Sequence, residues 1–375
     1  MAGIYIHIPF CKQICDYCDF HKSASLKLKD EMVKALMTEI RLRKNYIPDD
    51  SIETIYFGGG TPSLLNHKEI TQVLDVIFDS MAVMSDTEIT LEANPEDLTI
   101  KYLNKLAKTP VNRISIGCQS FFDKDLKLLK RRHNAKQSYN SVIMAKDTGF
   151  SNISIDLIYG IPGMTEESFE INIEKTFELE IRHISAYHLT IEPKTMFFNL
   201  LRKGKFKEIT ENESYKQYKK LIKLTKENDF IQYEISNFAK TGFYSKHNSN
   251  YWNQSKYLGI GPSAHSFNIT SRQWNIANNK EYLEKIKNGL IPSIKETLDV
   301  NTRYNDYVLT SLRTIWGIDL EYIEQNFSEE SGKYCENMAK KYISSGLIEK
   351  KDKKLVLSEK GKFIADNIIS ELLFI

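Results

Sequence analysis

The chain has 375 residues, and 51 Lys and Arg against 49 Asp and Glu leave a formal net charge of only +2. This balance gives no electrostatic reason to expect a nucleic-acid-binding protein. No run approaches the roughly 18 apolar residues that a membrane span needs. Residues 3–8 are too short and too polar for a signal peptide. We therefore expect a cytoplasmic protein with neither a membrane span nor a nucleic-acid partner.

Segments rich in β-branched and aromatic residues alternate with helical segments through the first half of the chain. The predicted strands are residues 3–8, 52–57, 88–93, 113–117, 153–160 and 183–189. The predicted helices include residues 29–43, 68–81, 135–147 and 167–178. Such repeats imply parallel strands joined by right-handed crossovers, in an open α/β sheet or a barrel. Functional groups should then lie just past the carboxyl ends of the strands.

The strand–helix repeat fades after about residue 201, where a helix over residues 213–228 is followed by an aromatic, Asn-rich loop over residues 243–252. From about residue 281 the chain becomes mainly helical. It ends in SSGLIEKKDKKLVLSEKGKFIADNI, which is typical of a helix end, a two-strand wing and a closing helix. This pattern predicts a winged-helix-like domain, for which we favour a structural or partner-binding role over DNA binding.

The segment MAGIYIHIPFCKQICDYCDFHKS places Cys11, Cys15 and Cys18 directly after the first predicted strand. Clustered thiols in a reducing compartment are typical of metal-binding or catalytic sites, not of a disulfide framework. Three thiolates can hold three irons of a 4Fe–4S cluster and leave the fourth iron open. They could also form a structural zinc site with His21 or His7, or be unrelated thiols. The cysteines alone leave these alternatives open.

Polar or glycine residues follow four successive predicted strands after the cysteine segment. Three glycines, residues 58–60, end the second strand, where the missing Cβ atoms let the backbone approach a ligand closely. Glu92, Gln119 and Asp156 stand at or near the ends of the next three strands. Any one of them could be a turn or capping residue. Four strands ending in this way together indicate a ligand site.

The Cys-x₃-Cys-x₂-Cys motif and the GGGTP string together resemble the radical S-adenosylmethionine (SAM) superfamily. The resemblance is closest to the branch that contains the oxygen-independent coproporphyrinogen III dehydrogenase and a related haem chaperone. It extends over nearly the whole chain, through LEANP, SIGCQSF and SIDLIYGIPG. It implies an α/β fold, a radical SAM partial (β/α)6 TIM-like barrel with a C-terminal helical, winged-helix-like domain. The expected units are residues 1–235 for the barrel, 236–280 for a segment that closes it, and 281–375.

The resemblance also implies roles for single residues. Cys11, Cys15 and Cys18 would hold the cluster, and SAM would chelate the open iron through its amino and carboxylate groups. Tyr5 would lie against SAM, and Tyr17 beside the cluster and the nucleoside. The glycine segment and Thr61 would receive the methionine part of SAM. The polar positions that match those lining the SAM region in the dehydrogenase are Glu92, Gln119, Arg131 and Asp156. The implied SAM positions are Tyr5, Tyr17, Gly59, Gly60, Thr61, Glu92, Gln119, Arg131 and Asp156.

Two departures separate this chain from the dehydrogenase. The dehydrogenase has a fourth cysteine two residues after the last cluster ligand, where this chain has Phe20 and the chaperone group has an aromatic residue. The dehydrogenase also has a longer N-terminal extension, which we do not expect in a chain that starts four residues before Tyr5. Both departures favour the chaperone group.

The string HNSNYW, which begins at His247, matches an HNxxYW string of the chaperone group. An imidazole among aromatic residues suits haem, because its nitrogen can take an axial position on iron. The alternative is an ordinary hydrogen-bonded histidine in an aromatic segment. His247 is therefore the candidate haem ligand.

The resemblance predicts a haem chaperone that binds haem as cargo and passes it to an acceptor protein, possessing a 4Fe–4S cluster with SAM on the open iron. A homodimer is compatible with this function. The alternative is an oxygen-independent coproporphyrinogen III dehydrogenase, which performs a radical SAM oxidative decarboxylation. A nucleic-acid-binding regulator that uses the winged tail is disfavoured by the near-neutral charge.

Overall fold

The computed structural model describes residues 1–48 and 50–374. Its centre is a row of parallel strands that pair in chain order, each at a predicted strand. They are β1 (Ala2–Ile8), β2 (Ile52–Gly59), β3 (Val83–Ala93), β4 (Arg113–Gln119), β5 (Ile153–Tyr159) and β6 (His183–His188). The predicted partial (β/α)6 barrel is confirmed.

Helices follow the strands and cover the outer face of the sheet. They are α1 (Lys29–Arg43), α2 (His67–Ser80), α3 (Ile100–Leu106), α4 (Asp123–Leu128), α5 (Ala135–Asp147), α6 (Glu166–Glu178), α7 (Met196–Arg202) and α8 (Glu211–Glu227). Asn66, Asn134 and Thr165 begin α2, α5 and α6 with capping boxes, so local side chains satisfy the first backbone N–H groups.

The two-residue period of each strand separates an apolar face from a polar one. In β1, Ile4, Ile6 and Ile8 are fully buried in the core under the helices, whereas Tyr5 and His7 alternate with them. Tyr5 pairs with Tyr56 of β2 in the sheet register. The concave face of the barrel is therefore rich in polar and aromatic side chains.

Further strands extend the sheet at both edges. The elements are β7 (Ile231–Gln232), β8 (Asn237–Ala239), α9 (Lys246–Trp252), β9 (Lys256–Ile260), β10 (His265–Phe267), β11 (Ser271–Asn275), α10 (Asn279–Lys287) and β12 (Ser293–Thr297). The strand order is β12-β11-β10-β9-β1-β2-β3-β4-β5-β6-β8-β7. Because β9 joins β1 and β8 joins β6, the two edges stay apart. Residues 236–280 therefore do not close the sheet into a barrel.

The HNSNYW string forms the helix α9, so the prediction of a loop over residues 243–252 was wrong. Asn and aromatic residues have weak helix propensity, but tertiary contacts override this preference. The side chain of Glu88 in β3 accepts hydrogen bonds from the backbone N–H groups of Lys246 and His247. The Ser245 side chain accepts one from Asn248. This packing seats α9 against the first residues of the barrel strands.

The C-terminal unit has its own hydrophobic core, which includes Tyr304, Cys335 and Ile368. Its elements are α11 (Val300–Ser311), β13 (Ile318–Asp319), α12 (Leu320–Asn326), α13 (Glu329–Ser344), β14 (Ile348–Lys351), β15 (Lys354–Leu357), α14 (Glu359–Phe363) and α15 (Ala365–Leu372). The hairpin β14–β15 forms the predicted wing after α13. Within the described residues, no helix is long and apolar enough to cross a membrane.

The expected boundary at residue 281 falls inside α10 and needs correction. The helix α10 packs against α1 of the barrel. The following strand β12 pairs with β11 of the large sheet. We therefore propose that the C-terminal unit starts after β12, near residue 298.

A buried ion pair joins α1 to the extended edge of the sheet. The Glu39 carboxylate accepts hydrogen bonds from Arg43 Nη1 at 3.2 Å, Gly261 N at 2.8 Å, Asn275 Nδ2 at 2.7 Å and Tyr282 Oη at 2.6 Å. Both charged side chains are almost fully buried. One carboxylate thus connects a barrel helix, β11, α10 and the turn after β9.

Removing the Glu39 carboxylate should destabilise the protein strongly. The change Glu39→Ala leaves the Arg43 charge buried and unpaired, so we expect a loss of about 3–5 kcal/mol in the free energy of unfolding. Urea denaturation followed by circular dichroism measures this. The control Glu31→Ala, at an exposed position of the same helix, should leave the unfolding free energy nearly unchanged. Equal stability of the two variants would contradict this role for the ion pair.

Candidate functional site

The concave face and the loops after the strands enclose a cavity of about 640 Å³. This volume lies in the range of small-molecule and cofactor sites. Every site residue predicted from the sequence lines this cavity. They are Tyr5, Cys11, Cys15, Tyr17, Cys18, Gly59, Gly60, Thr61, Glu92, Gln119, Arg131, Asp156 and His247. The structure thus brings together residues that are up to 242 positions apart between Tyr5 and His247.

The three clustered cysteines lie on the loop after β1, and all are free thiols. Thr61 donates a hydrogen bond to Cys11 Sγ at 3.4 Å, and Arg131 Nη1 donates to Cys15 Sγ at 3.5 Å. Burial raises the pKa of the Cys11 and Cys18 thiols. Over residues 1–48 and 50–374, no three His, Cys, Asp or Glu side chains converge as a ready-made metal site. The thiols share the cavity wall without meeting at one point.

The donor set fits an iron–sulfur cluster better than the zinc alternative. Three soft thiolate donors on one loop are the ligands that iron–sulfur clusters use. His7 has both ring nitrogens engaged, with Tyr5 Oη at 3.1 Å and the His21 carbonyl at 2.8 Å. His21 Nε2 contacts Asn279 Oδ1 at 2.8 Å. Neither imidazole is among the described residues that line the cavity. Neither therefore faces the thiols as a fourth ligand.

The glycine segment after β2 packs against the cysteine loop. Gly60 N donates a hydrogen bond to the Ile8 carbonyl at 2.8 Å. A Cβ on Gly60 would lie only 2.7–2.9 Å from backbone atoms of Ile8 and Phe10. Gly59 has φ +103°, which disfavours other residues, and a Cβ there would meet the His7 ring at 2.5 Å. These glycines are therefore required first by the chain's own packing, beyond the ligand approach that the sequence indicated.

Two half-buried carboxyl groups, Glu92 and Asp156, face the middle of the cavity. Tyr56 Oη donates to Glu92 Oε1 at 2.8 Å, and Ser115 Oγ donates to Asp156 Oδ1 at 3.0 Å. Burial raises the pKa of Glu92 to about 7, and the nearby Asp156 adds to the effect. Burial likewise raises the pKa of Asp156 to about 6. Both groups therefore change charge near neutral pH, which is typical of functional sites.

Arg131 links the cysteine loop to the ends of β3 and β4. Its Nη2 donates to Asn94 Oδ1 at 2.6 Å and to the Gly117 carbonyl at 3.0 Å. Its Nη1 lies 3.4 Å from Tyr17 Oη. Gln119 has φ +64°, an uncommon conformation for a residue other than glycine, and such strain is concentrated at ligand sites. Gln119 is the last residue of β4, at the carboxyl end of the sheet, and Arg131 contacts the same strand through the Gly117 carbonyl.

His247 lies at the floor of the cavity and is only 2% exposed. Its Nδ1 contacts Thr54 Oγ1 at 2.8 Å, and its Nε2 contacts Tyr251 Oη at 3.1 Å. The ring stacks on Tyr56 with the centroids 4.9 Å apart. Burial lowers the pKa of His247 to about 3, so the imidazole is neutral. Axial ligation of haem would require Nε2 to leave Tyr251.

The sequence analysis missed several residues of the cavity wall. They are Tyr56, Asn94, Arg113, Ser115 and Tyr187. Most of them lie within strands, where a polar residue looks like an ordinary alternating position. Those that lie within strands share the concave face of the sheet with Glu92 and Asp156, as the strand register shows. This shared face was the signal that could have identified them.

Comparison with known proteins agrees with the resemblance to the radical SAM superfamily that the sequence motifs indicate. Residues 5–175 match the family model of the radical SAM superfamily, and residues 298–364 match the HemN C-terminal domain. A Bacillus subtilis protein named heme chaperone HemW is 34% identical over 379 aligned residues, which cover 100% of this chain and 99% of the relative. This chain belongs to the HemW family. A Lactococcus lactis HemW is 32% identical, with 98% of this chain and 96% of the relative covered.

The HemW-family chain also resembles a solved structure over nearly its whole length. Coproporphyrinogen III oxidase (HemN) from Escherichia coli, described as a radical SAM enzyme, superposes with a TM-score of 0.84 at 22% identity. The superposition covers 99% of this chain and 89% of that one. At this identity the likeness establishes the shared fold and not a shared activity.

The three cavity cysteines should be required for an iron–sulfur cluster. Replacing Cys11, Cys15 or Cys18 with Ala removes a thiolate ligand, so the visible iron–sulfur absorption after anaerobic reconstitution should be lost. The control Cys118→Ala removes a buried thiol outside the motif and should retain the absorption. Loss of the cluster in Cys118→Ala with the fold preserved, or its retention in Cys15→Ala, would contradict the assignment.

Proposed function

We propose that this protein is a haem chaperone that binds haem and transfers it to an acceptor protein. The full-length similarity to proteins named heme chaperone HemW supports this function. The observation that carries it is Phe20, which lies beside Cys18, lines the cavity and is 62% exposed. Tyr187, 44% exposed, lines the same cavity. Exposed aromatic rings at a cavity suit a flat, apolar macrocycle.

The proposal includes a 4Fe–4S cluster held by Cys11, Cys15 and Cys18, with SAM on its open iron. The chemistry that such a cluster supplies is one-electron reduction of SAM. In this arrangement the backbone of the glycine segment and Thr61 would position the methionine part. Tyr5 and Tyr17 would cover the ligand, and Arg131 would hold the cysteine loop through its contacts with Tyr17 and Asn94.

The second candidate is an oxygen-independent coproporphyrinogen III dehydrogenase, which the fold shared with the E. coli HemN favours. The side chain at position 20 argues against it, because Phe20 cannot supply the thiol that the dehydrogenase is expected to have there. We further propose a cytoplasmic location, a protein acceptor for haem and assembly as a homodimer. The net charge of +2 gives nucleic-acid binding no support.

Haem binding without porphyrinogen turnover should distinguish the two functions. Reconstituted protein with SAM and reductant should retain about one haem per chain and convert no coproporphyrinogen III. The variant Phe20→Ala should bind haem roughly 2- to 10-fold more weakly, because an aromatic contact is lost. The control Phe78→Ala changes an exposed phenylalanine on α2 and should bind haem normally.

Absorption titration with haem and chromatography of the tetrapyrroles give both readouts in one sample. Repeated formation of protoporphyrinogen IX would make the protein an enzyme and overturn the chaperone function. Failure of the wild-type protein to retain haem would overturn it as well.

SAM affinity should depend on pH through Glu92 and Asp156. The sulfonium of SAM is positive, and the two carboxyl groups lose their protons between about pH 5.5 and 8, given pKa values of about 6 and about 7. Affinity should therefore rise with pH over this range. The variant Glu92→Gln cannot ionise, so the part of the rise near pH 7, up to roughly tenfold, should disappear.

Calorimetric titration of SAM at several pH values measures this effect. The control Glu178→Gln, at an exposed position of α6, should reproduce the wild-type profile. Parallel profiles for wild type and Glu92→Gln would show that the Glu92 carboxylate does not face the bound SAM.

A further inference from the structure

Arg113, the first residue of β4, is a buried cation without an anion. Its side chain lines the cavity, and the residue is 1% exposed. The Arg113 side chain makes no hydrogen bond, ion pair or cation–π contact with any residue of the described part of the chain, and its Nε is buried without a partner. A guanidinium removed from water is strongly destabilising unless an anion accompanies it. Arg113 therefore places a positive charge without a paired anion in the cavity wall.

A second unsatisfied group lies beside it. Thr90 of β3 pairs with Arg113 in the parallel register. Its hydroxyl is also buried without a hydrogen-bond partner among the described residues, and the residue is fully buried. Register neighbours project to the same face of the sheet. Two unsatisfied groups of adjacent strands thus stand together on the concave face, and of these two Arg113 is the one that lines the cavity.

We propose that Arg113, assisted by Thr90, is a receptor for a carboxylate of the molecule that occupies the cavity. A guanidinium matches the two oxygens of a carboxylate in a bidentate geometry, and the adjacent hydroxyl can donate a further hydrogen bond. The anion would give the guanidinium the partner that it lacks. This inference rests on the proposed function, since it assigns a contact to the proposed cargo or to its companion SAM.

The acidic residues of the cavity do not serve as the missing anion. Glu92 and Asp156 are the carboxyl groups that feel the charge of Arg113, yet neither forms an ion pair with it, and each is held by a hydroxyl donor. The arginine lowers both pKa values, but burial outweighs it and leaves them at about 7 and about 6. His183 and His247, the neighbouring imidazoles, have lowered pKa values and are neutral. No carboxyl group of the described residues pairs with the guanidinium, which leaves Arg113 open to an anion from outside the chain.

The depth of Arg113 limits the kind of ligand. Gly117, whose carbonyl binds Arg131 beside the cysteine loop, lies four residues farther along β4. At about 3.3 Å per residue the Cα atom of Arg113 is roughly 13 Å below that of Gly117. A ligand that contacts the aromatic residues near the thiols and also reaches Arg113 must be extended and carry a distal acid. The propionate arms of haem meet this requirement, and a SAM molecule whose carboxylate is not on the cluster iron is the other source of the same chemistry.

Esterification of the propionates provides the test. We would titrate haem and haem dimethyl ester into the reconstituted protein as wild type, Arg113→Gln and Thr90→Val. A matched control is Arg182→Gln, because Arg182 is an exposed arginine stacked on Phe243. Wild type and control should bind haem about 10- to 100-fold more tightly than the ester. Arg113→Gln should bind both equally, and Thr90→Val should lose part of the preference. A SAM titration of the same variants distinguishes the second source.

Each outcome decides the proposal. If Arg113→Gln weakens SAM binding and leaves the haem preference unchanged, the receptor holds the SAM carboxylate. If neither ligand is affected while circular dichroism shows a folded protein, the receptor is overturned, and Thr90→Val decides the same question should Arg113→Gln not fold. If wild type binds neither haem nor its ester, the chaperone function fails, and the SAM titration alone decides the receptor.

Discussion

The close approach of β2 to the end of β1 is the constraint on which the site depends. Ile8 and Gly59 are register partners, and Gly60 N bonds to the Ile8 carbonyl. The cysteine loop and the glycine segment therefore leave the sheet at the same level. Thr61 reaches the Cys11 thiol as a consequence. A side chain on Gly60 would meet the backbone of the cysteine loop, so metal site and ligand cradle are coupled through packing.

The barrel divides stability and function between the two faces of its strands. Outward residues such as Ile4 and Ile6 fill the apolar core, which contributes free energy without chemical specificity. Inward residues include Glu92, Asp156, Arg113 and the His247 ring at the floor. Burying such polar groups costs stability, and the shifted pKa values of the carboxyl groups record that cost. Sequences keep costly groups where function requires them.

Local sequence patterns predicted most of the fold. The strands and the helices α1 and α5 followed from periodicity, and the site residues at strand ends followed from the geometry of parallel sheets. The helix α9 was missed because Glu88, far away in sequence, caps it. Arg113 was missed because an arginine at a strand start looks like an ordinary surface position. Whether a charged side chain has an ion-pair partner depends on the register of strands that are distant in sequence. A local sequence pattern therefore does not predict it.

The same fold can serve an enzyme or a carrier, because few positions of the cavity decide which ligand it takes. The likeness to the E. coli HemN structure extends over 99% of the chain, yet it does not determine what occupies position 20. Under the proposed function, exposed Phe20 faces the apolar macrocycle while buried Arg113 takes an acidic arm. An amphipathic cargo would then be oriented by the cavity itself, acid inward and macrocycle toward the mouth. Such an orientation leaves the apolar face available to an acceptor protein, which is what transfer requires.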